Sequence, residues 1–414
     1  MGKLVEVVLP PRLGADYRWL LASSWTTNLG DGVAVAAGPL LVASLTSDAF
    51  LVSLAALLRW APPLVFGLSA GVLSDRLNRR RIVIAADGIR AVVLSVLVVT
   101  MVTGQVTVTV ALVALGLLAT AEVFADNTST TLAPMLVHRD DLPVANSRLQ
   151  AGAITLNQLA GPPIGAALFA AGRAWPFVAQ AVLVAAGVLL VSRVVLPAHG
   201  RGSPEPRPWA GSVARDVVEG LRWTVRHPAV RTLSLTILIF NVTFGAAWSV
   251  LVLYADQRLG LGAVGFGLLT TISAAGGLLG TALYGWITRR VSLGNVMRVG
   301  LIIETLTHLA LAITTSAWVA SLIFFVFGTH AFIWGTTSLT VRQRAVPTHL
   351  QGRVSSVNTI SVFGGLVVGS AVGGTLATHA GVTAPFWFAF AGSAAFVVLL
   401  WRELTRIAHT NEQP

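Results

Sequence analysis

Three carboxylic side chains interrupt long apolar stretches of this sequence. Asp31, Glu122 and Glu304 are each surrounded by aliphatic and small residues. An ionised group at the centre of a membrane-spanning helix costs at least about 2.5 kcal/mol, so a residue of this kind is a functional candidate by default. A carboxyl group in such a place can take up and release a proton. We predict that these three residues, together with His330, couple the protein to protons.

The first of these carboxylates is expected to form an ion pair. Asp31 lies 13 residues after Arg18, about 20 Å along a helix, and Arg59 lies 17 residues before Arg76, about 25 Å along the next one. The side chains of Asp31 and Arg59 can therefore reach the same depth. A fixed structural pair that never titrates is the alternative interpretation.

Glu122 is the leading candidate for the proton carrier. No basic residue lies four positions away from it, and Asp126 follows one helical turn later. Because neighbouring buried carboxyl groups oppose each other's ionisation, one of them can hold a proton at neutral pH. Asp126 is assigned instead to a gate on the cytoplasmic side. Asp87 and Arg90, three residues apart on one helix face, are assigned to the same gate.

A second group of titratable residues lies in the later part of the chain. Glu304 and His308 are one helical turn apart, and His330 lies at a similar depth in the next apolar segment. Since histidine titrates near neutral pH, the three side chains could relay protons. A purely structural role for all three is the alternative.

Aromatic and amide side chains form the predicted substrate cavity. Phe240, Phe244 and Trp248 recur every four residues along one apolar segment. A stripe of this kind suits an amphipathic or cationic small molecule, although helix packing or lipid contact produces the same spacing. The predicted cavity residues are Asn28, Asn157, Gln158, Phe240, Asn241, Phe244, Trp248 and Trp334.

The elements that position these side chains are predicted to be twelve membrane-spanning helices. Of the 414 residues, 55% are hydrophobic and 11% are charged, whereas soluble domains are about 25% charged. About 20 apolar residues suffice for one span. The predicted spans are residues 17–44, 48–74, 82–103, 106–136, 147–171, 174–194, 229–255, 264–288, 292–314, 317–341, 354–378 and 383–401. The predicted fold class is therefore an all-α membrane protein.

Basic residues mark one side of the predicted helices. The sequence has 28 Lys and Arg against 17 Asp and Glu, which gives a net charge of +11. Twenty-four of the basic residues fall on the side that holds both termini, and the positive-inside rule makes that side the cytoplasm. Since the basic residues follow alternate loops, we expect no nucleic-acid partner. No signal-peptide pattern precedes the first span, so the N-terminus is expected to be retained.

The sequence also divides into two related halves. We predict a six-helix bundle over residues 1–196, a cytoplasmic linker over 197–228 and a second six-helix bundle over 229–414. Residues 137–147 and 346–356 form short basic loops at corresponding places in the two halves. Two related halves suggest a secondary transporter, whose site would lie between them near mid-membrane.

The linker is predicted to contain a helix of its own. Between Trp209 and Arg226, apolar residues recur at helical spacing opposite a charged face. This pattern is typical of an interfacial helix on the inner leaflet of the membrane. A solvated linker helix is the alternative.

The most specific motif lies between the second and third spans. It reads Gly71-Val-Leu-Ser-Asp75-Arg76-Leu-Asn-Arg79-Arg80-Arg81, and a worn copy without the aspartate runs from Gly285 to Arg290. Its spacing and position resemble the signature of the Major Facilitator Superfamily. The segments Asn28–Asp31 and Gly161–Gly165 are similar to those of the twelve-helix drug:proton antiporters, in the macrolide-efflux-like branch. The antiporter motif is partial, because no glycine lies between Gly152 and Gly161.

The resemblance implies a gate on the cytoplasmic side. Gly71 would let two helices approach closely, and Asp75 would act as a charge-linked latch that stabilises an outward-open state. Arg80 and Arg81 are expected to be topogenic charges held by lipid phosphates. The predicted gate residues are Gly71, Asp75, Arg76, Arg79, Asp87, Arg90 and Asp126. In the eleventh span, Gly365, Gly369 and Gly373 are expected to allow close helix packing.

The resemblance further implies proton-coupled export of hydrophobic or amphipathic drugs by alternating access. The expected partners are the small molecule, protons and the lipid bilayer, and the expected setting is a monomer in the bacterial cytoplasmic membrane. No cofactor or metal site is expected: the sequence has no cysteine and no P-loop, so energy would come from a proton gradient. The alternatives are an exporter of one metabolite, siderophore or lipid-like substrate, and a membrane sensor without transport. An enzyme is not expected.

Overall fold

The computed structural model describes residues 11–196 and 211–403, which form helices joined by short turns. A π-helical segment, Ala153–Ala160, joins α5 to α6 without a break. The helices before the linker are α1 (Gly14–Leu45), α2 (Ala49–Arg76), α3 (Arg79–Val102), α4 (Val108–Thr130), α5 (Leu142–Gly152), α6 (Gly161–Ala171) and α7 (Trp175–Val191). The predicted all-α class is confirmed.

The linker and the second half contain seven more helices among the described residues. They are α8 (Gly211–Arg226), α9 (Pro228–Ser249), α10 (Ala263–Thr288), α11 (Leu293–Ile313), α12 (Ala317–Ala345), α13 (Gln351–Ala380) and α14 (Ala384–Leu400). A short helix, Leu251–Gln257, continues the path of α9. The helix predicted in the linker is therefore present as α8, and the part of its pattern before residue 211 lies outside the described residues.

The lengths of these helices agree with the twelve predicted spans. Within the described ranges, nine helices are long and apolar enough to cross a membrane. The apolar helices α7 and α14 are shorter, and the bent path through α5, the π segment and α6 accounts for the remaining predicted span. In lipid every backbone N–H and C=O must find a partner inside the chain, which is why apolar segments of this length fold as helices.

Local signals in the sequence end and begin these helices. The Asn78 side chain accepts a hydrogen bond from the Arg81 N–H and caps the N-terminus of α3. Thr107 caps α4 in the same way through the Val110 N–H. Gly381, with a φ of 87°, ends α13, because this left-handed backbone conformation favours glycine. The chain therefore reverses direction where turn-forming residues interrupt the apolar pattern.

The described residues group into two compact units. The first contains the described residues up to Leu45 and those from Val65 to the end of α7, and the second contains Thr46–Leu64 with α8 to α14. The division falls inside α2, next to Pro62 and Pro63. The boundaries predicted for the two bundles and the linker stay predictions.

Hydrogen bonds from buried α1 side chains hold the first unit together. The Tyr17 hydroxyl donates to the Ala145 carbonyl at 2.7 Å, and the Ser23 hydroxyl donates to the Gly187 carbonyl at 2.9 Å. Trp25 Nε1 donates to the Arg148 carbonyl at 3.0 Å. These contacts join α1 to α5 and α7, so α1 is the central helix of this unit.

Glycine spacing sets a close helix contact in the second unit. A Cβ atom added at Gly369 would lie 2.2 Å from the Val242 carbonyl oxygen, and one at Gly373 would lie 2.1 Å from that of Ala246. The missing side chains let the backbones of α13 and α9 touch, as small residues do in membrane helix pairs. The predicted packing role of this glycine series is confirmed.

We expect Gly369→Ala to destabilise the protein by about 1–3 kcal/mol, because the new methyl group must push α13 away from α9. Gly364→Ala on the same helix is the matched control, since a Cβ atom there meets nothing within 4 Å. Thermal unfolding of both variants in detergent measures the difference. Equal midpoints would show that the contact between α13 and α9 contributes nothing to stability.

Candidate functional site

The most buried charge in the first unit is the guanidinium of Arg90. It lies on α3, is 1% exposed, and contacts two carboxylates that are almost equally buried. Arg90 Nη1 donates to Asp87 Oδ1 at 2.8 Å within the same helix. Arg90 Nη2 donates to Asp31 Oδ1 on α1. This pair of bonds joins α1 to α3 in the interior of the unit.

Two further carboxyl groups on α4 lie within electrostatic reach of Arg90. Glu122 is half-buried, and Asp126, one turn later, is reached by solvent. Both interact with Arg90 and with Asp31 through charge. We call these five residues the Arg90 cluster: one arginine and four carboxyl groups from α1, α3 and α4.

The charges of the Arg90 cluster do not balance if every group is ionised. One positive charge would then face four negative charges, two of them on the buried side chains of Asp31 and Asp87, where an unpaired ion is strongly disfavoured. Binding protons at the carboxyl groups is the simplest way to lower this excess. The cluster therefore has the composition that reversible proton uptake requires.

The structure changes the sequence-based assignment of this arginine. Arg90 lies 11 residues from the start of α3, which is about 16 Å along a helix of about 36 Å, and so near its middle. It was predicted to belong to the cytoplasmic gate with Asp87 and Asp126, whereas the structure places all three around Asp31. The signal in the sequence was an acid and a base three residues apart inside an apolar span.

The structure pairs Asp31 with an arginine other than the predicted Arg59, which belongs to the second unit, so the pair with Arg59 stays a prediction. The partner of Asp31 is Arg90, which reaches α1 from α3. The Arg59 guanidinium instead lies 5.3 Å from the centre of the neighbouring Trp60 ring, in cation–π contact. The prediction matched depths along two helices, but depth alone does not tell which basic side chain faces the carboxylate.

Arginines of the motif after α2 bind the ends of other helices. Arg79 donates to the carbonyls of Ser74 at 3.1 Å and Thr131 at 3.3 Å, and Arg80 donates to the Ser192 carbonyl. Thr131 and Ser192 cap the C-termini of α4 and α7, whose exposed carbonyls attract cations. Arg80 was expected to contact lipid phosphate only, so this contact corrects that expectation.

The structure leaves open the roles predicted for the other residues of this motif. Within the first unit a Cβ atom at Gly71 would meet nothing within 4 Å, and the close approach of another helix at this position stays a prediction. The side chains of Asp75 and Arg76 lie outside the described residues, and the latch stays a prediction. In the worn copy, Arg290 follows the end of α10 and packs over the ring of Trp286 in the last turn of that helix, at 4.3 Å.

Several aromatic side chains pack together inside the second unit. The rings of Phe244 and Trp248 stack at 4.4 Å between centroids, and both contact Phe327 of α12, at 5.7 and 4.7 Å. Phe324 lies 5.4 Å from Trp248. We call these four residues the aromatic cluster. Two of them, Phe244 and Trp248, were predicted cavity residues.

Two buried histidines of the second unit, His308 and His330, lie at the edge of the aromatic cluster. His308 is fully buried with its ring edge-on to Trp248 at 6.0 Å, and His330 meets Phe327 at 5.4 Å. None of their ring nitrogens has a hydrogen-bond partner among the described residues. Glu304 is half-buried one turn before His308. A proton relay needs a hydrogen-bonded chain, so the relay through these residues stays a prediction.

The remaining predicted cavity residues fall into two groups. Phe240 is 4% exposed and packs edge-on against Phe396, so its place in a cavity is corrected to a place in the packed core. Trp334 packs in the same apolar group. The amides lie on helix surfaces: Asn28 donates to the Ser24 carbonyl at 2.8 Å, Asn241 donates to the Ile237 carbonyl at 2.7 Å, and Asn157 and Gln158 lie in the π segment.

We expect Arg90→Gln to destabilise the protein by about 3–5 kcal/mol, because it leaves Asp31 and Asp87 buried without a counter-charge. Adding Asp31→Asn to this variant removes one stranded charge and should restore part of the loss. Arg81→Gln, on an exposed side chain of the same helix, is the control. Thermal unfolding in detergent measures all three. A wild-type midpoint for Arg90→Gln would contradict the proposed role of the ion pair.

Comparisons with known proteins agree with this architecture. The model of the transmembrane secretion effector family, MFS_3, matches residues 9–413. The multidrug efflux pump Tap of Mycolicibacterium fortuitum is 29% identical over 383 residues, which cover 89% of this chain and 90% of that protein.

Solved structures share the fold at low sequence identity. A bacterial homologue of the iron transporter ferroportin has a TM-score of 0.73 and 17% identity, covering 95% of this chain and 98% of that one. The nucleoside transporter NupG has a TM-score of 0.71 and 14% identity, covering 97% of this chain and 100% of that one. With the family match over nearly its whole length, the chain belongs to the transmembrane secretion effector family of the Major Facilitator Superfamily, whose members are multi-pass membrane transporters.

Proposed function

We propose that this protein is a proton-coupled exporter of hydrophobic or amphipathic drugs that works by alternating access. The observation that carries the proposal is the Arg90 cluster, in which four carboxyl groups compete for one guanidinium. Family membership supports transport. The relative in Mycolicibacterium fortuitum is a multidrug efflux pump, which supports drugs as the substrate class.

Proton coupling follows from the charge of the Arg90 cluster. In an apolar surrounding, binding a proton lowers the excess negative charge of the cluster, because the single arginine balances only one of the carboxylates. When solvent reaches the cluster, hydration stabilises the ionised groups and protons leave. Asp126 is already reached by solvent, whereas Asp31 and Asp87 are buried, so we assign proton exchange with water to the α4 side of the cluster.

A change at Asp31 is transmitted to the bent path between α5 and α6. The next residue, Gly32, packs so closely that a Cβ atom there would lie 2.5 Å from the Asn157 carbonyl oxygen of the π segment. The following residue of α1, Val33, contacts α6: a Cβ atom at Gly165 of α6 would lie 2.2 Å from the Val33 carbonyl oxygen. Because interiors packed this closely do not deform continuously, a shift of Asp31 on α1 moves the π segment with it.

The aromatic cluster supports a flat or cationic substrate. The rings of Phe244 and Trp248 are only half-buried, and aromatic surfaces bind such ligands through cation–π attraction. His308 and His330 add buried polar atoms beside it, which suit a ligand with one hydrogen-bonding group. An exporter of one metabolite, siderophore or lipid-like molecule is the alternative within transport, and a sensor without transport is the alternative outside it.

The setting proposed is the bacterial cytoplasmic membrane, with the protein as a monomer and both termini in the cytoplasm. Arginine and tryptophan pairs support this orientation: Arg193 lies over Trp19 at 5.1 Å, and Arg298 lies over Trp401 at 4.4 Å. Both pairs lie at helix ends on the arginine-rich side of the chain. Tryptophan favours membrane interfaces, and arginine favours the cytoplasmic one.

Transport by the carboxyl variants tests the proposal. In everted membrane vesicles energised to be acidic inside, we expect the wild type to accumulate ethidium and tetraphenylphosphonium. Asp31→Asn and Glu122→Gln should reduce accumulation on the order of tenfold or more, because they remove groups that carry the proton. Asp140→Asn, at a carboxylate that is 91% exposed, is the control.

Exchange of labelled for unlabelled drug without a proton gradient separates coupling from binding. We expect both carboxyl variants to keep this exchange, since it needs no net proton movement. Wild-type accumulation by Asp31→Asn and Glu122→Gln would contradict the assignment of the Arg90 cluster. If no compound is accumulated and none dissipates an imposed proton gradient in proteoliposomes, antiport itself is wrong.

The aromatic cluster makes a separate prediction. We expect Trp248→Ala to weaken binding of tetraphenylphosphonium by about tenfold, which is the value of one desolvated cation–π contact. Trp248→Phe should restore most of the affinity, and Trp318→Ala, at a side chain that is 88% exposed, should not change it. Equilibrium dialysis of the purified protein measures the affinity. An unchanged affinity in Trp248→Ala would place the substrate elsewhere.

A further inference from the structure

The linker helix α8 ends at the membrane surface, because the chain passes from it almost directly into a membrane-spanning helix. Its last residue is Arg226, and after His227 the chain enters α9 at Pro228. The helix α9 is long and apolar enough to span a membrane. With one residue between the two helices, the end of α8 must lie where α9 enters the bilayer.

Both acidic residues of α8 are bound by one arginine of α13. Arg353 Nε donates to Asp216 Oδ1 at 2.9 Å, and Arg353 Nη1 donates to Glu219 Oε1 at 2.5 Å. The backbones are also in contact, because a Cβ atom at Gly220 would lie 2.4 Å from the Arg353 carbonyl oxygen. Since α8 is bonded to the first turn of α13, it has a fixed orientation about its axis.

That orientation leaves two adjacent stripes exposed. One is apolar, with Val218, Leu221 and Val225 each about half exposed, at 53%, 50% and 51%. The other is basic and contains three exposed arginines. At about 100° per residue, the six side chains cover one continuous arc of roughly 140° on the helix. The basic stripe consists of Arg215, Arg222 and Arg226.

The chemistry of this arc matches an anionic membrane surface. Half-exposed branched side chains beside arginines are the pattern of a helix that lies in the interface plane. Asp216 and Glu219 are both bonded to Arg353, which neutralises one of their two charges, so the three arginines of the arc still leave this face of α8 positively charged. Guanidinium groups bind phosphate oxygens with two parallel hydrogen bonds.

We propose that α8 is a binding site for anionic phospholipids of the cytoplasmic leaflet. Val218, Leu221 and Val225 enter the acyl region, and Arg215, Arg222 and Arg226 bind headgroup phosphates. The contact with Arg353 sets which side of α8 faces the lipid. The site is independent of the substrate and of proton coupling, so it stands or falls apart from the transport function.

The natural sequence has no cysteine, which permits a direct measurement. A nitroxide label on Leu221→Cys in the full-length protein reports whether this position is in lipid or in water. We expect paramagnetic relaxation by oxygen, and little by a water-soluble nickel complex, in nanodiscs that contain phosphatidylglycerol. In nanodiscs of phosphatidylcholine alone, the fraction of water-exposed label should increase.

Variants of the basic stripe test headgroup binding. In phosphatidylglycerol nanodiscs, each arginine replaced by glutamine should raise the ratio of water-exposed to lipid-buried label about fivefold, and the triple variant on the order of a hundredfold. The triple lysine variant keeps the charge and should stay close to wild type. A label on Thr348→Cys, at an exposed loop position before α13, serves as the comparison for water exposure.

Three outcomes would overturn the proposal. A label at Leu221 that is water-exposed in both lipids means a solvated linker helix. A label buried equally in both lipids means apolar insertion without headgroup recognition. If the label at position 221 lies at the same depth in the wild type and in the triple glutamine variant, the arginines do not bind lipid headgroups. The comparison of lipids needs only Leu221→Cys, so it remains decisive even if the triple variant does not fold.

Discussion

The guanidinium of Arg90 sets the organisation of the first unit. It binds carboxylates of two helices in a place where an unpaired ion is strongly disfavoured, and so fixes the distance and rotation of α1 against α3. The fourth helix is drawn into the same arrangement, since Glu122 and Asp126 face this charge. An apolar contact of equal size would tolerate sliding and rotation. A hydrogen-bonded ion pair permits only one geometry.

Close packing makes that geometry matter elsewhere. The residues after Asp31 are a glycine and a valine whose backbone touches the π segment and α6. In the second unit, glycines of α13 touch the backbone of α9 in a similar way. Helices in lipid gain little from the hydrophobic effect between them, so such backbone contacts and buried polar bonds supply much of their association. In the first unit, the ion pair and the glycine contacts of α1 therefore lie on consecutive residues of the same helix.

Much of this fold could be predicted from the sequence. Helix positions followed from apolar length, because a lipid-exposed backbone has few alternatives to the helix. The linker helix and the glycine contacts of α13 followed from spacing. Ion-pair partners did not: Arg59 and Arg90 both lie at a depth suited to Asp31, and only the reach of the Arg90 side chain from α3 to α1 shows that it binds Asp31.

The π segment explains why the glycine pattern of the fifth span looked incomplete. Gly152 contacts Trp25 and Gly161 contacts Gly32, so both face α1. Nine residues of an α-helix rotate through about two and a half turns, which would put these glycines on opposite faces. The wider turns of Ala153–Ala160 rotate less per residue and remove that offset. The π segment thus brings Gly152 and Gly161 to the same face by changing the number of residues per turn. Residue spacing counted in α-helical turns therefore gives the wrong face across this segment.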